Sequence, residues 1–155
     1  MTSKEKPTVV WFQAITCNGN THSLLSANSS RLELFFNSFN LIYHPSLTIE
    51  KTLDDILNQK EQIDFLLIEG AITSNEKFFS ISNDTTFNLL NKLALKSKYI
   101  IAVGSCASNG GIHTKFTQNN DIQGINDSID KQTINKLEHS IINLTGCPVH
   151  PEWIL

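Results

Sequence analysis

The sequence predicts an α/β fold, a doubly wound, parallel five-stranded sheet with helices on both faces. Three observations point to it. Five short apolar runs alternate with stretches of helical periodicity, and parallel strands need such crossovers between them. The runs Phe65-Leu66-Leu67-Ile68 and Ile100-Ile101-Ala102-Val103 are apolar without alternation, the pattern of strands covered on both faces. Turn-forming and small residues follow several of the runs, as at the carboxyl edge of such sheets, where loop backbone approaches a ligand closely.

Lys4, Glu5, Lys6 and Pro7 lead into the first and central strand, Val9 to Ile15, which mixes β-branched and aromatic residues. Trp11 and Phe12 within it are expected in the core. The loop Thr16 to Ser23 consists of turn formers that cap a helix over Leu24 to Phe39. Leu24, Leu25, Leu32, Phe35, Phe36 and Phe39 give that helix an apolar face, and Asn28-Ser29-Ser30 is where it would divide in two. Leu41-Ile42-Tyr43 is the second strand, ending at His44-Pro45, and Thr52 to Gln59 is a short helix. The third strand, Phe65 to Ile68, ends in Glu69-Gly70, whose carboxylate is expected to cap neighbouring loop amides, the alternative being a charged member of a partner interface.

Phe78, Phe79 and Ile81 fall in a polar connection before a helix over Thr85 to Leu95. Ile100 to Val103 is the fourth strand. Ile112 to Asp130 shows little periodicity and is long for a loop in a compact domain. Thr133 to His139 reads as a short helix, Ile141 to Leu144 as the fifth strand, and Pro151 as the start of a further helix.

Residues 1–155 are expected to form one domain, alone or as the N-terminal part of a longer chain, with enough length to bury a real core. A net charge of −3 and a single arginine, Arg31, with no basic cluster, argue against nucleic acid or an anionic membrane surface as the main partner. No apolar run approaches the ~18 residues of a membrane span. The start, MTSKEKPTVV, shows neither an apolar signal segment nor a twin-arginine motif, so the expected location is cytoplasmic, with any membrane association through partner subunits.

The chemistry lies in the three cysteines. Cys17, Cys106 and Cys147 each come just after an apolar run, in loops that a doubly wound sheet brings to one edge together with Glu69. An odd, widely spaced set does not resemble a secreted disulfide framework. Three thiolates in one crevice suit an iron-sulfur cluster or zinc, although free cysteines are also common as small buried hydrophobes. Both kinds of metal centre usually take four ligands. Candidates for the fourth are Asn20, three residues after Cys17, then His22, His113 and His150 in the three loops, or solvent, or a cluster lacking one iron. Nucleotide or flavin binding is disfavoured because the first loop has one glycine and neither G-x-G-x-x-G nor G-x-x-x-x-G-K-[ST].

Taken together, VVWFQAITCNGNTHSLL at Val9 to Leu25, LIYHPSLT at Leu41 to Thr48, LLIEGAI at Leu66 to Ile72, and VGSCASNGGI followed by NLTGCPVHPEWI resemble one family. The chain is similar to the N-terminal, flavodoxin-like domain of nickel-iron hydrogenase small subunits, itself similar to the cluster-bearing small subunit of respiratory complex I. In that family the three loops carry C-x-x-C, G-x-C-x-x-x-G-G and G-C-P-x-H-P, and their four cysteines hold a proximal 4Fe-4S cluster. The resemblance implies that Cys17, Cys106 and Cys147 are the first, third and fourth ligands, and that the second position falls on Asn20. A glutamate usual two residues after the second cysteine is His22 here.

The implied function is electron transfer beside a hydrogenase large subunit, with no catalytic centre in this chain. The cluster would be 4Fe-4S held by three cysteines and one atypical ligand, with 3Fe-4S or no cluster as the other outcomes. The alternative is a degenerate paralogue without a stable cluster, an accessory or maturation factor that docks on the large subunit.

Overall fold

The computed structural model describes residues 5–81, 83–115 and 121–155. Strand β1 (Thr8–Gln13) is followed by helices α1 (Gly19–Leu25) and α2 (Ser29–Ser38). Then come β2 (Asn40–Tyr43), α3 (Leu53–Asn58) and β3 (Ile63–Glu69). Three two-residue strands, β4 (Ile72–Thr73), β5 (Ser80–Ile81) and β6 (Asp84–Thr85), precede α4 (Thr86–Ala94). The second half holds β7 (Ser97–Val103), α5 (Ser105–Asn109), a 3₁₀ turn (Gly111–Lys115), β8 (Ile122–Gln123) and α6 (Ile125–Ser128). It ends with α7 (Lys131–Ile134), β9 (Ile142–Leu144) and α8 (Pro151–Ile154).

The main sheet has five strands in the order β2-β1-β3-β7-β9, and every pairing is parallel, as the alternation of runs predicts. Its register aligns the carboxyl ends. Gln13 pairs with Glu69, Glu69 with Val103, and Val103 with Leu144, so the loops that follow these four residues leave from one edge. The chain moves outward from β1 to β2 and then returns across β1 to β3. The β1/β3 boundary is therefore the switch point, where the two outgoing loops diverge and leave a crevice.

Alternation along the strands divides the core between the two faces. Val10, Phe12, Leu66, Ile68, Ile100 and Ala102 pack with residues of α3, α4 and α6 on one side. Val9, Trp11, Leu67 and Val103 pack with Leu24 and Val149 on the other. Trp11 and Phe12 are both fully buried, as expected.

Several local expectations change. The helix read over Leu24 to Phe39 starts earlier, at Gly19, and divides in two at Asn28-Ser29-Ser30, where the sequence places a break. Asn28 divides them because its side chain accepts the Ser30 N–H at 2.9 Å and caps α2, an alternative the backbone takes in place of continuous helix. The break turns Leu25 and Phe36 outward, to 43% and 42% exposure, so neither belongs to the apolar face. The stretch from Ile112, read as irregular, contains the 3₁₀ turn, α6 and the strand β8, which pairs antiparallel with β4; residues 116–120 lie outside the described ones. The helix read over Thr133 to His139 is the single turn α7, capped by Asp130, while His139 leaves it to stack on Tyr99 with centroids 4.4 Å apart.

At the opposite edge, Asp64 joins three strands. It accepts the Thr8 N–H at 2.8 Å and Thr8 Oγ1 at 3.0 Å, and pairs with Lys98 at 2.7 Å. The Lys98 hydrogen bond, then the Thr8 N–H, hold its carboxyl below the usual range. A carboxyl depressed in this way stabilises the fold above its unfolded-state pKa, and that stability is lost as pH falls through the folded-state value. Asp64→Asn is expected to lower stability at neutral pH by about 1 kcal/mol, since charged hydrogen bonds at a partly exposed site are screened. Urea unfolding should show that difference shrinking towards zero on acidification, where wild type has also lost the charge.

Candidate functional site

Glu69 closes β3 at the switch point, and its side chain has no exposure to solvent. A buried carboxyl needs donors, and the β1 loop and α1 supply them. Oε1 accepts from Thr16 Oγ1 at 3.1 Å and from the backbone N–H groups of Asn20 and Thr21 at 3.0 and 3.4 Å. Oε2 accepts from Thr21 Oγ1 at 2.6 Å, Trp11 Nε1 at 3.1 Å and Gln13 Nε2 at 3.4 Å. The sequence reading of Glu69 as a cap for loop amides matches this arrangement. A buried histidine extends the network. His44 Nδ1 accepts the Ser46 N–H at 3.0 Å, which leaves the proton of the neutral ring on Nε2, 3.2 Å from Thr21 Oγ1. Burial lowers the His44 pKa, with Glu69 opposing, which favours that neutral ring.

The three cysteine loops meet around this anchor. Cys17 and Cys147 are exposed, Cys106 is half-buried, and all three are free thiols. Burial pushes the Cys106 thiol up, and nearby Cys147, Cys17 and Glu69 push it further in the same direction. Backbone bonds tie the second and third loops together: the N–H groups of Gly104 and Ser105 donate to Leu144 O at 2.7 Å and Gly146 O at 2.8 Å. Glycines lie against two of the thiols. A Cβ on Gly111, whose φ is +56°, would stand 2.8 Å from Cys106 Sγ, and one on Gly19 would stand 3.2 Å from Cys17 Sγ. Backbone thus approaches the sulfurs where side chains would intrude.

Asn20 lies at the centre of the loops and is 8% exposed. Its Nδ2 donates to Val103 O at 3.2 Å, three residues before Cys106, and its Oδ1 accepts the Val149 N–H at 3.0 Å, two residues after Cys147. A backbone carbonyl only accepts and a backbone N–H only donates, so the two partners fix the orientation of the amide. Gly104, with φ +91°, makes room for it; a side chain there would collide with the Asn20 amide. The residue therefore joins the start of α1 to the end of β7 and to the Cys147 loop through its side chain, and to β3 through its backbone N–H. Val149 is 1% exposed, and leaving its N–H unpaired would cost about 1–3 kcal/mol.

His22 is exposed on α1, and His150 is exposed and caps α8 by accepting the Glu152 N–H at 3.3 Å. His113 is partly buried in the 3₁₀ turn. Thr16, Thr21, Gln13 and His44 belong to the site and were not among the candidates; a hydroxyl or amide near a strand end gives no sequence signal of its own. Among the described residues, no three His, Cys, Asp or Glu side chains converge tightly enough to hold one metal ion. An iron-sulfur cluster holds its thiolates on separate irons and farther apart than a single ion does. Three thiols in loops at one sheet edge, with glycine backbone against two of them, are donors of the soft class that iron-sulfur clusters take.

The chain is similar to hydrogenase small subunits. It is 31% identical over 170 residues to the periplasmic [NiFeSe] hydrogenase small subunit of Desulfomicrobium baculatum, covering 97% of this chain and 53% of that protein. It is 28% identical over 160 residues to the periplasmic [NiFe] hydrogenase small subunit 1 of Nitratidesulfovibrio vulgaris, covering 97% and 49%. The chain thus spans about half the length of these relatives. The structure of a reduced, active form of the Ni-Fe-Se hydrogenase from Desulfomicrobium baculatum superposes with a TM-score of 0.77 at 27% identity, covering 97% of this chain and 59% of that one. No described helix is long and apolar enough to cross a membrane, and the two relatives named here are periplasmic, unlike the cytoplasmic location expected from the sequence. Residues 17–155 match the family described as NADH ubiquinone oxidoreductase, 20 kDa subunit, and the chain belongs to that family.

Proposed function

We propose that residues 1–155 form one electron-transfer domain of a nickel-iron hydrogenase-type complex, holding a proximal 4Fe-4S cluster through Cys17, Cys106 and Cys147. The observation that carries this reading is the placement of three free thiols in the loops that follow β1, β7 and β9, at one edge of a sheet shared with hydrogenase small subunits. Such a cluster supplies one-electron transfer when bound. The chain's own part is to hold the thiols in place. Glu69 fixes the Cys17 loop by its backbone amides, the Gly104 and Ser105 N–H groups fix the Cys106 loop to the Cys147 loop, and glycine backbone closes on the sulfurs.

The partner in this reading is a hydrogenase large subunit. Cys17 and Cys147 stand exposed, and Ile112 and Trp153, at 65% and 64% exposure, follow the second and third cysteine loops. A surface that is apolar beside open thiols favours a covering protein. The accessory or maturation reading draws on the departures Asn20 and His22 in the first loop, and the similarity to hydrogenase small subunits does not extend to it.

Anaerobic reconstitution with iron and sulfide is expected to give a brown protein containing both, and replacing Cys17, Cys106 or Cys147 by Ser should remove most of the bound iron. Wild type that takes up no iron, or iron uptake indifferent to all three substitutions, would sink the proposal. Glu69→Gln places an amide –NH₂ among donors and is expected to cost about 1–3 kcal/mol in denaturant unfolding. It should also weaken iron retention, measured as the rate of iron loss to a chelator.

A further inference from the structure

Glu69 is fully buried, and every partner it has is a donor: the backbone N–H groups of Asn20 and Thr21, the Trp11 indole, the Gln13 amide and the hydroxyls of Thr16 and Thr21. That network is complete only with the carboxyl ionised, because the indole and the two backbone groups cannot accept a proton from it. These donors are dipoles. They replace the water the carboxylate has lost without cancelling its charge. Among the described residues the ion pairs lie elsewhere, at Asp64, Asp84 and Glu152. His44, which reaches the network through Thr21, brings no charge while its Nδ1 accepts the Ser46 N–H. The result is a buried anion without a counter-charge.

This anion sits beside the cysteine loops. Thr16, which donates to Oε1, directly precedes Cys17, and Glu69 pairs in register with Val103, three residues before Cys106. Its effect on the Cys106 thiol, which it helps to push up, is the effect it has on any further negative charge placed there. A buried charge is also screened far less by salt than an exposed one.

We propose that Glu69 lowers the reduction potential of the cluster, acting as a fixed negative charge that opposes the incoming electron. This rests on the cluster reading above and deepens it, since it gives Glu69 a part in electron transfer besides holding the start of α1. Reduction adds one electron to the cluster and no proton to Glu69, whose oxygens face donors only. The opposing charge is thus present in both redox states, and the reduced domain is the stronger electron donor for it.

The test is a redox titration of the reconstituted chain with dithionite as reductant, followed by EPR of the reduced cluster. Glu69→Gln should raise the midpoint potential, by about tenfold in the equilibrium constant for reduction, or ~59 mV for one electron. Glu69→Asp disturbs the same donors but keeps the charge, and should stay near the wild-type potential while losing stability. Trp11→Phe takes one donor from the carboxylate, leaves its charge less offset and should lower the potential. An unshifted or lowered potential in Glu69→Gln would overturn the proposal. So would an equal rise in Glu69→Asp, which would trace the effect to a disturbed loop and not to charge. If Glu69→Gln holds no iron, Trp11→Phe decides, and a potential that stays or rises there overturns the proposal. Failure of wild type itself to take up iron would instead defeat the cluster reading on which this one stands.

Discussion

The arrangement of the candidate site depends on one buried carboxyl group and the donors that surround it. Glu69 ends the central strand β3, and the residues that reach it come from β1, the Cys17 loop and the first turn of α1. Two of those donors are the backbone amides of Asn20 and Thr21, so the carboxyl holds the start of α1 against β3. Removing water from such a group is costly unless every lone pair is met, and here both oxygens are fully engaged. That requirement explains the company it keeps. Trp11 and Gln13 on β1, Thr16 in the loop and Thr21 on α1 each bring a donor, and each has Glu69 as a partner.

The sheet then converts this local constraint into a shared position for three distant segments. Residues 17, 106 and 147 are far apart in the chain, yet the register from Gln13 through Glu69 and Val103 to Leu144 brings their loops to one edge. Cys106 follows its strand by three residues and Cys147 by three, while Cys17 follows by four. Similar offsets from aligned strands give similar heights above the sheet. Parallel topology accomplishes what a continuous metal-binding motif does in a short loop.

Much of this was legible in the sequence for a physical reason: strands covered on both faces are continuous apolar runs, and the residues that follow them must lie at an edge. Cys17, Cys106, Cys147 and Glu69 could be placed together on that ground alone. The function of Asn20 could not. Its spacing after Cys17 marks a ligand position, but its partners are the backbone of Val103 and Val149, and backbone partners leave no trace in sequence. The extent of the helix after Asp130 was misjudged for a related reason, because capping by a short polar side chain competes with helical periodicity over a turn or two. Leu25 and Phe36 were misplaced by the break at Asn28.

The amide of Asn20 also separates two events that metal sites often join. In a small metal-dependent domain the ion is the cross-link, so the chain is unfolded until it is loaded. Here protein atoms already bridge the loops: Asn20 reaches Val103 and Val149, and the backbone of Gly104 and Ser105 reaches Leu144 and Gly146. Under the proposed function the domain completes its fold with the thiols empty, and a cluster would enter a finished receptacle, with little of the ordering entropy left to be lost at that step.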